Sequence, residues 1–259
     1  MSDVPEWKSK LQTAITENMK KDKDSISYPL STIGPDGKPK TRFVLHRGFV
    51  NERRKEEDPS NNPIGEEDTG KVGEVLLSTT DVRAPKSQQL SKNPHFELAW
   101  WFAPSGDQFR ITGRAYILGP PDHPSTTSFL SEHGKRLAPP GLAKDGEFNW
   151  EDERRRIYEK ISPPIRASFA RPIPGTPLKD SERSGNGKGE GDYQPDSWPQ
   201  ELKMDDDKKL LDLSYSNFAL TILEPLEIDW CQLNTQPNQR VIYSKDTSSG
   251  KWSQTSVVP

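Results

Sequence analysis

Arg42, Arg83 and Lys86 are the residues whose types and placement suggest chemistry. Arg42 lies in an alternating, strand-like stretch, while Arg83 and Lys86 follow closely on Ser78-Thr79-Thr80. A phosphate dianion is held where two or three such cations converge with hydroxyls and open backbone N–H groups. A helix starting near Pro85 would aim its positive end at the same point. Arg and Lys on a surface are usually only solvated, so convergence in the fold must decide between the two readings.

Other chemistries lack their residues. The chain has no G-x-x-x-x-G-K-[ST] loop and no G-x-G-x-x-G between a strand and a helix, and GNGKGEGD has glycines without flanking elements. His46, His95, His123 and His133 show no metal-ligand spacing, and no G-x-S-x-G supports a serine hydrolase. His46 beside Arg47 reads as a surface or hydrogen-bonded strand residue, with a proton donor as the rival role. Trp100-Trp101 reads as core plus a protein–protein contact rather than a platform for ligand stacking. Arg154-Arg155-Arg156 among Glu151, Asp152, Glu153 and Glu159 reads as exposed helical ion pairs.

The bulk composition narrows the partners. A net charge of −3 over 259 residues offers no general attraction to nucleic acid or anionic membrane. Cys231 is the only cysteine, which excludes an internal disulfide and suits a cytoplasmic, possibly also nuclear, setting. No apolar run spans a bilayer and the first ten residues carry mixed charge, so neither membrane insertion nor secretion is expected. With 30% hydrophobic residues, part of the chain must be solvated loop.

These residues need elements to position them. Asp3, Pro5 and Glu6 predict a helix start, with Trp7, Leu11 and Ile15 on its buried face. Gly34-Pro35-Asp36-Gly37 predicts a turn between a strand ending near Ile33 and one from Pro39 to Phe49. Strands are expected at Glu74–Thr79, His95–Phe102 and Gln108–Leu118, with a short helix from Pro85. Trp150 to Ile161 and Ile165 to Ala170 read as helices, and four strands follow at Asn217–Leu223, Leu226–Leu233, Arg240–Ser244 and Trp252–Val257. Residues 51–72 and 172–210 read as exposed insertions. The sum is a mainly β single domain over 1–259, a β-barrel with peripheral helices and no unpaired sheet edge.

Here the chain resembles a known family. Thr41-Arg42-Phe43-Val44-Leu45, then Ser78 to Lys86 with Gln88-Gln89-Leu90 and Asn93-Pro94, then Gln108-Phe109-Arg110-Ile111-Thr112-Gly113 resemble the successive FMN-binding blocks of pyridoxamine 5′-phosphate oxidase-like split barrels. Trp230 and Arg240, ten residues apart, are similar to the C-terminal signature of those oxidases. The resemblance implies that Arg42 and Lys86 bind the FMN phosphate with Ser78 and Thr79 or Thr80. It implies that Phe43, Val44 and Leu45 pass the ring and its chain, and that Gln108 bonds the isoalloxazine. Trp230 and Arg240 would approach the ring, and two barrels would share the cofactor in a homodimer.

The departures bear on function. The family's Ser-Arg-Lys reads Ala84-Pro85-Lys86, leaving Arg83 as the candidate replacement for a phosphate arginine. The Arg-x-His that engages pyridoxal phosphate reads Gln236-Pro237-Asn238. A divergent branch is implied, not a true pyridoxamine-phosphate oxidase. The expectation is an FMN-dependent oxidoreductase of unassigned substrate and no assigned catalytic residue. A non-catalytic FMN carrier or sensor and a flavin-free interaction module remain the alternatives.

Overall fold

Alternation of buried and exposed residues along Ser27–Ile33 (β1) and His95–Phe102 (β6) sets one face of each strand to the core. The structure, a computed structural model, describes residues 4–54, 66–67, 72–142, 148–176 and 198–259. Its remaining main strands are β2 (Pro39–Leu45), β5 (Leu76–Asp81), β7 (Asp107–Leu118), β8 (Phe218–Gln232), β9 (Gln239–Lys245) and β10 (Trp252–Ser256). They form one eight-stranded antiparallel sheet in the order β10-β9-β8-β7-β6-β1-β2, with β5 paired to β8. Two-residue strands β3 (Arg53–Arg54) and β4 (Glu66–Glu67) pair separately inside the expected 51–72 insertion, whose other central residues lie outside the described set.

The sheet closes because the chain leaving β2 returns to β5. Arg47 N donates to Leu77 O at 2.8 Å, Leu77 N to Gly48 O at 2.9 Å, and Val50 N to Val75 O at 2.9 Å. With β5 also paired to β8, strands β1, β2, β5, β8, β7 and β6 complete a ring, and its strands have no open edge within it. Tyr28, Leu30, Leu98, Trp100, Phe109 and Ile111 fill the interior. Helix α1 (Glu6–Met19) adds Trp7, Leu11 and Ile15 to this core as the spacing predicts, and α2 (Pro85–Lys92) adds Leu90. The N-cap of α1 is Pro5, and the expected cap, Asp3, lies outside the described residues.

Two expected strands are one. β8 runs unbroken through Pro225, and the register against β7 shifts between Thr112 and Gly113, leaving Leu226 as the extra residue. A Cβ at Gly113 would stand 1.9 Å from the Glu224 carbonyl oxygen, so only glycine permits this approach. The shift also changes parity. Ala219 and Leu223 face the barrel interior before the bulge, and Ile228 and Trp230 after it.

A second apolar cluster lies outside the barrel, where Leu77, Leu118, Leu220 and Ile222 meet α3 (Pro124–Phe129), the turn leading to α4 (Lys135–Leu137), α5 (Trp150–Lys160) and the end of α6 (Pro163–Ser168). Of the expected 172–210 loop, residues 177–197 lie outside the described set, and the stretch after them is partly ordered. Leu202 is buried, Arg166 donates to its carbonyl at 2.8 Å, and α7 (Lys208–Asn217) occupies what was expected to be loop and strand start. This helix is capped by Asp207, which accepts from the Lys209 and Leu210 amides, and is tied down by polar contacts such as Ser214 Oγ to Arg166 O at 2.7 Å. Few apolar residues mark its buried side, which hides it from periodicity. Arg154 also departs from expectation: it is 1% exposed and donates to the Tyr215 and Phe218 carbonyls, whereas Arg155 is an exposed pair partner of Glu151.

Candidate functional site

Arg42 lies on the same side of β2 as the core residue Val44, near the barrel end that α2 covers. Its guanidinium donates to Leu30 O at 3.1 Å, Thr32 Oγ1 at 2.7 Å and Gln89 Oε1 at 2.9 Å. Thr32 in turn donates to Gln89 Oε1 at 2.7 Å. Neutral groups thus fix the cation in place and leave its charge uncompensated. Lys86 stands at the first turn of α2, and its ammonium donates to the Thr79 carbonyl at 3.4 Å. Pro85 opens that helix and Ala84, its N-cap, supplies no side-chain acceptor, so the helix end keeps its positive character.

These groups share a cleft of about 450 Å³ lined by Arg42, Thr79, Thr80, Asp81, Ala84, Pro85, Lys86, Ser168, Phe169 and Pro174. Burial, reinforced by the neighbouring Arg42, pulls the Lys86 ammonium from its ordinary value down to about 8. Burial lowers Arg42 as well. Two partly desolvated cations facing one cleft with no carboxylate on either, among the described residues, favour an anion there. The nearby Asp81 is already taken by Arg83, whose Nε and Nη2 reach its two oxygens at 3.0 and 2.6 Å.

Arg83, the candidate replacement phosphate ligand, therefore does not line the cleft. Its Nη2 also reaches the Phe169 and Arg171 carbonyls, at 3.4 and 3.0 Å. Ser78 is fully buried on β5 opposite Thr221 and outside the cleft lining. Val44 is core, Leu45 packs half-buried against it, and Phe43 points outward with 73% exposure.

Of the remaining candidates, Gln108 and Arg240 sit on the outer face of the sheet. Gln108 pairs across to Trp101 on β6 and to Cys231 on β8, and Cys231 pairs to Arg240 on β9. Arg240 holds Asp229 through Nε at 3.0 Å and Nη2 at 2.8 Å, and Arg110 binds the same carboxylate. The bond to Arg240, with that to Arg110, holds the Asp229 carboxyl below its ordinary range. Trp230 faces the other way, into the core, and donates from its indole to Asp107 Oδ1 at 2.8 Å. Within one chain, then, Arg42, Lys86, Thr79 and Thr80 come together, and Gln108, Trp230 and Arg240 do not join them.

Sequence reasoning missed the supports and one wall of the cleft. Gln89 stands in the Gln88-Gln89-Leu90 motif and Ser168-Phe169 in the helix expected over Ile165 to Ala170, but neither carries a signal for its role. Of the two expectations for His46, surface or hydrogen-bonded, burial removes the first. His46 is 1% exposed and packs between Phe49 and Trp100, at ring distances of 5.6 and 5.0 Å. Arg47 beside it is lowered to about 10 by burial, with the Tyr28 hydroxyl opposing that shift.

Residues 4–119 match the family "Pyridoxamine 5′-phosphate oxidase, FMN-binding domain". The chain is 25% identical over 259 residues to pyridoxine/pyridoxamine 5′-phosphate oxidase 2 of Arabidopsis thaliana, covering 99% of this chain and 98% of that one. Its fold is similar to a pyridoxamine 5′-phosphate oxidase-related, FMN-binding protein of Nostoc punctiforme, with TM-score 0.64, 20% identity and 99% of each chain covered. It is also similar to PhzG of Burkholderia lata in complex with tetrahydrophenazine-1-carboxylic acid, with TM-score 0.52, 14% identity and coverage of 100% and 95%. Residues 4–119 thus match an FMN-binding domain of the pyridoxamine 5′-phosphate oxidase family, the fold is similar to FMN-binding proteins related to it, and the match supports FMN as the cofactor.

Among the described residues no helix is long and apolar enough to cross a membrane, and no group of His, Cys, Asp and Glu is placed to hold a metal.

Proposed function

We propose that this chain is an FMN-dependent oxidoreductase of a divergent branch, working as a cytoplasmic homodimer. The observation that carries the cofactor part of this reading is the convergence of Arg42, Lys86, Thr79 and Thr80 on one cleft. Their donor set fits a phosphate monoester: two positive charges, two hydroxyls and a helix N-terminus. Phe43 to Leu45 would run beside the ribityl chain and ring, offering strand backbone to the ring edge.

FMN supplies the electron-transfer chemistry, and the protein's part is to bind it, orient it and set the charge around it. Arg42 and Lys86 would anchor one end. Gln108 and Arg240 lie on the outer face, with Phe43 73% and Trp101 50% exposed on that same side of their strands. Two such faces apposed about a two-fold axis would bury both aromatics and bring Gln108 and Arg240 of one copy toward the cofactor of the other. Arg240 would then exchange part of its hold on Asp229 for a hydrogen bond to the ring.

Gln236-Pro237-Asn238, exposed between β8 and β9, lacks the cation and imidazole that hold pyridoxal phosphate in the oxidases it resembles. That favours a different substrate. It equally supports the second reading, an FMN carrier or sensor without turnover.

The test is to load the purified protein with FMN, remove the excess, and follow its visible absorption anaerobically with reduced nicotinamides and with pyridoxamine or pyridoxine phosphate. Bleaching by one of these, with recovery in air, supports an oxidoreductase. Retained flavin that no donor reduces faster than free FMN would move the assignment to the carrier.

A further inference from the structure

Gln88 and Gln89 are adjacent on α2, yet only Gln88 is exposed. Gln89 is 9% exposed and, three residues after Lys86, shares that lysine's side of the helix. Its Oε1 accepts from Arg42 Nη2 at 2.9 Å and from Thr32 Oγ1 at 2.7 Å. A guanidinium has only donors, so the atom facing it is the amide oxygen. Thr32, 1% exposed, accepts from Arg42 Nη1 at 2.7 Å and gives its own proton to Gln89. With the bond to Leu30 O, these supports take three of the five guanidinium N–H groups and leave two for a ligand.

The charge of the acceptor sets this position apart. Arg83, Arg110, Arg136, Arg154, Arg156 and Arg240 each hold a carboxylate. Arg42 is held instead by an amide, a hydroxyl and a backbone carbonyl, all uncharged. A glutamate in place of Gln89 would fill the same space and meet the same donors, but it would neutralise the cation before a phosphate arrived. We infer that Gln89 is the positioning residue of the cleft: it aims Arg42 through a neutral oxygen, and discrimination between a phosphorylated and an unphosphorylated flavin depends on that neutrality. This role rests on the FMN reading of the cleft, and it adds to that reading a residue that does not line the cleft.

Fluorescence titration of the full-length protein with FMN and, separately, with riboflavin tests this, using the wild type, Gln89→Glu and Thr32→Val. Riboflavin carries the same ring and ribityl chain without the phosphate, so the ratio of the two affinities isolates what the phosphate contacts contribute. Wild type should prefer FMN by at least about 100-fold. Gln89→Glu should cut that preference by at least about tenfold, because its carboxylate competes with phosphate for Arg42. Thr32→Val keeps the shape and removes one support, and should cut it by about three- to tenfold. In both variants the loss should fall on FMN and leave riboflavin unchanged, whereas a residue that merely stabilises the fold would move both ligands together. Circular dichroism identifies the folded variants, and either one alone decides the question. An unchanged ratio in a folded variant overturns the role of Gln89 and leaves FMN in the cleft. A wild type that binds riboflavin as tightly as FMN overturns the phosphate reading of the cleft itself, and the role of Gln89 with it.

Discussion

The two places where positive charge gathers in this barrel are arranged in opposite ways. At the α2 end, Arg42 and Lys86 are steadied by neutral oxygens and keep their charge for a ligand. On the outer face, Arg110 and Arg240 share the Asp229 carboxylate, which offsets one of their two charges. The first arrangement costs stability, because partly buried cations lie near one another with nothing to offset them, and that cost is recovered only when an anion binds. The second holds a counter-charge within the chain and depends less on a ligand. A cluster of cations therefore reads as a binding site only when its counter-charge is missing.

The largest test of this contrast removes the unpaired charge. Arg42→Ala combined with Lys86→Ala should weaken FMN by about 10²- to 10⁴-fold, two charge-assisted contacts of about 1.5–3 kcal/mol each being lost. Flavin retained through gel filtration, with circular dichroism as the check on folding, measures it. Undiminished retention would mean that the cleft is not the phosphate site.

The outer face gives the next effect. If its exposed aromatics are a dimer contact, Phe43→Glu introduces a charge twice at the two-fold axis and should raise the dimer dissociation constant by about 100-fold or more. Sedimentation velocity across a dilution series reads this directly. A wild type that is monomeric at every concentration would remove the dimer, and with it the route by which Gln108 and Arg240 reach a flavin.

A smaller effect comes from titration. The free-protein pKa of Lys86 is lowered to about 8. Phosphate stabilises the charged form, so binding FMN above that pH takes up a proton. Affinity should then be flat below about pH 8 and fall by up to about tenfold per unit above it, and Lys86→Arg should flatten the profile. For the unliganded protein the sign is reversed: the unfolded chain holds that proton up to its ordinary pKa, so stability from this group rises with pH above about 8. A wild-type affinity profile that stays flat through pH 9.5 would count against Lys86 as a phosphate ligand.

Much of the architecture is legible in the chain because strands alternate and turns announce themselves. The hairpin around Pro35-Asp36, the β6 and β7 pair and the apolar face of α1 follow directly from spacing. The half of the site carried by Arg42 and Lys86 was legible too, since both stand in contiguous motifs. What sequence could not convey was parity. Strands expected at Asn217–Leu223 and Leu226–Leu233 are one, because a one-residue bulge carries β8 through Pro225 and reverses which residues face inward. Nor does sequence reveal that Arg83, three residues from Lys86, turns toward Asp81 and the chain after α6. That choice depends on carbonyls about 86 to 88 positions away.

The smallest predicted effect bears on that parity. Trp230 and Arg240 look alike as candidates in sequence, but Trp230 pairs with Val241 and Cys231 pairs with Arg240, which puts their side chains on opposite faces. Trp230 is 6% exposed, with Lys10 Nζ lying 4.1 Å over its ring and its indole N–H spent on Asp107. Trp230→Phe should therefore lower stability by about 1–3 kcal/mol, through the lost hydrogen bond and the smaller ring, and change FMN affinity by less than about twofold. Urea unfolding and flavin titration on the same sample separate the two quantities. A large loss of flavin with stability preserved would mean that Trp230 turns toward the cofactor when it binds, and the division between inner core and outer binding face would then fail at β8.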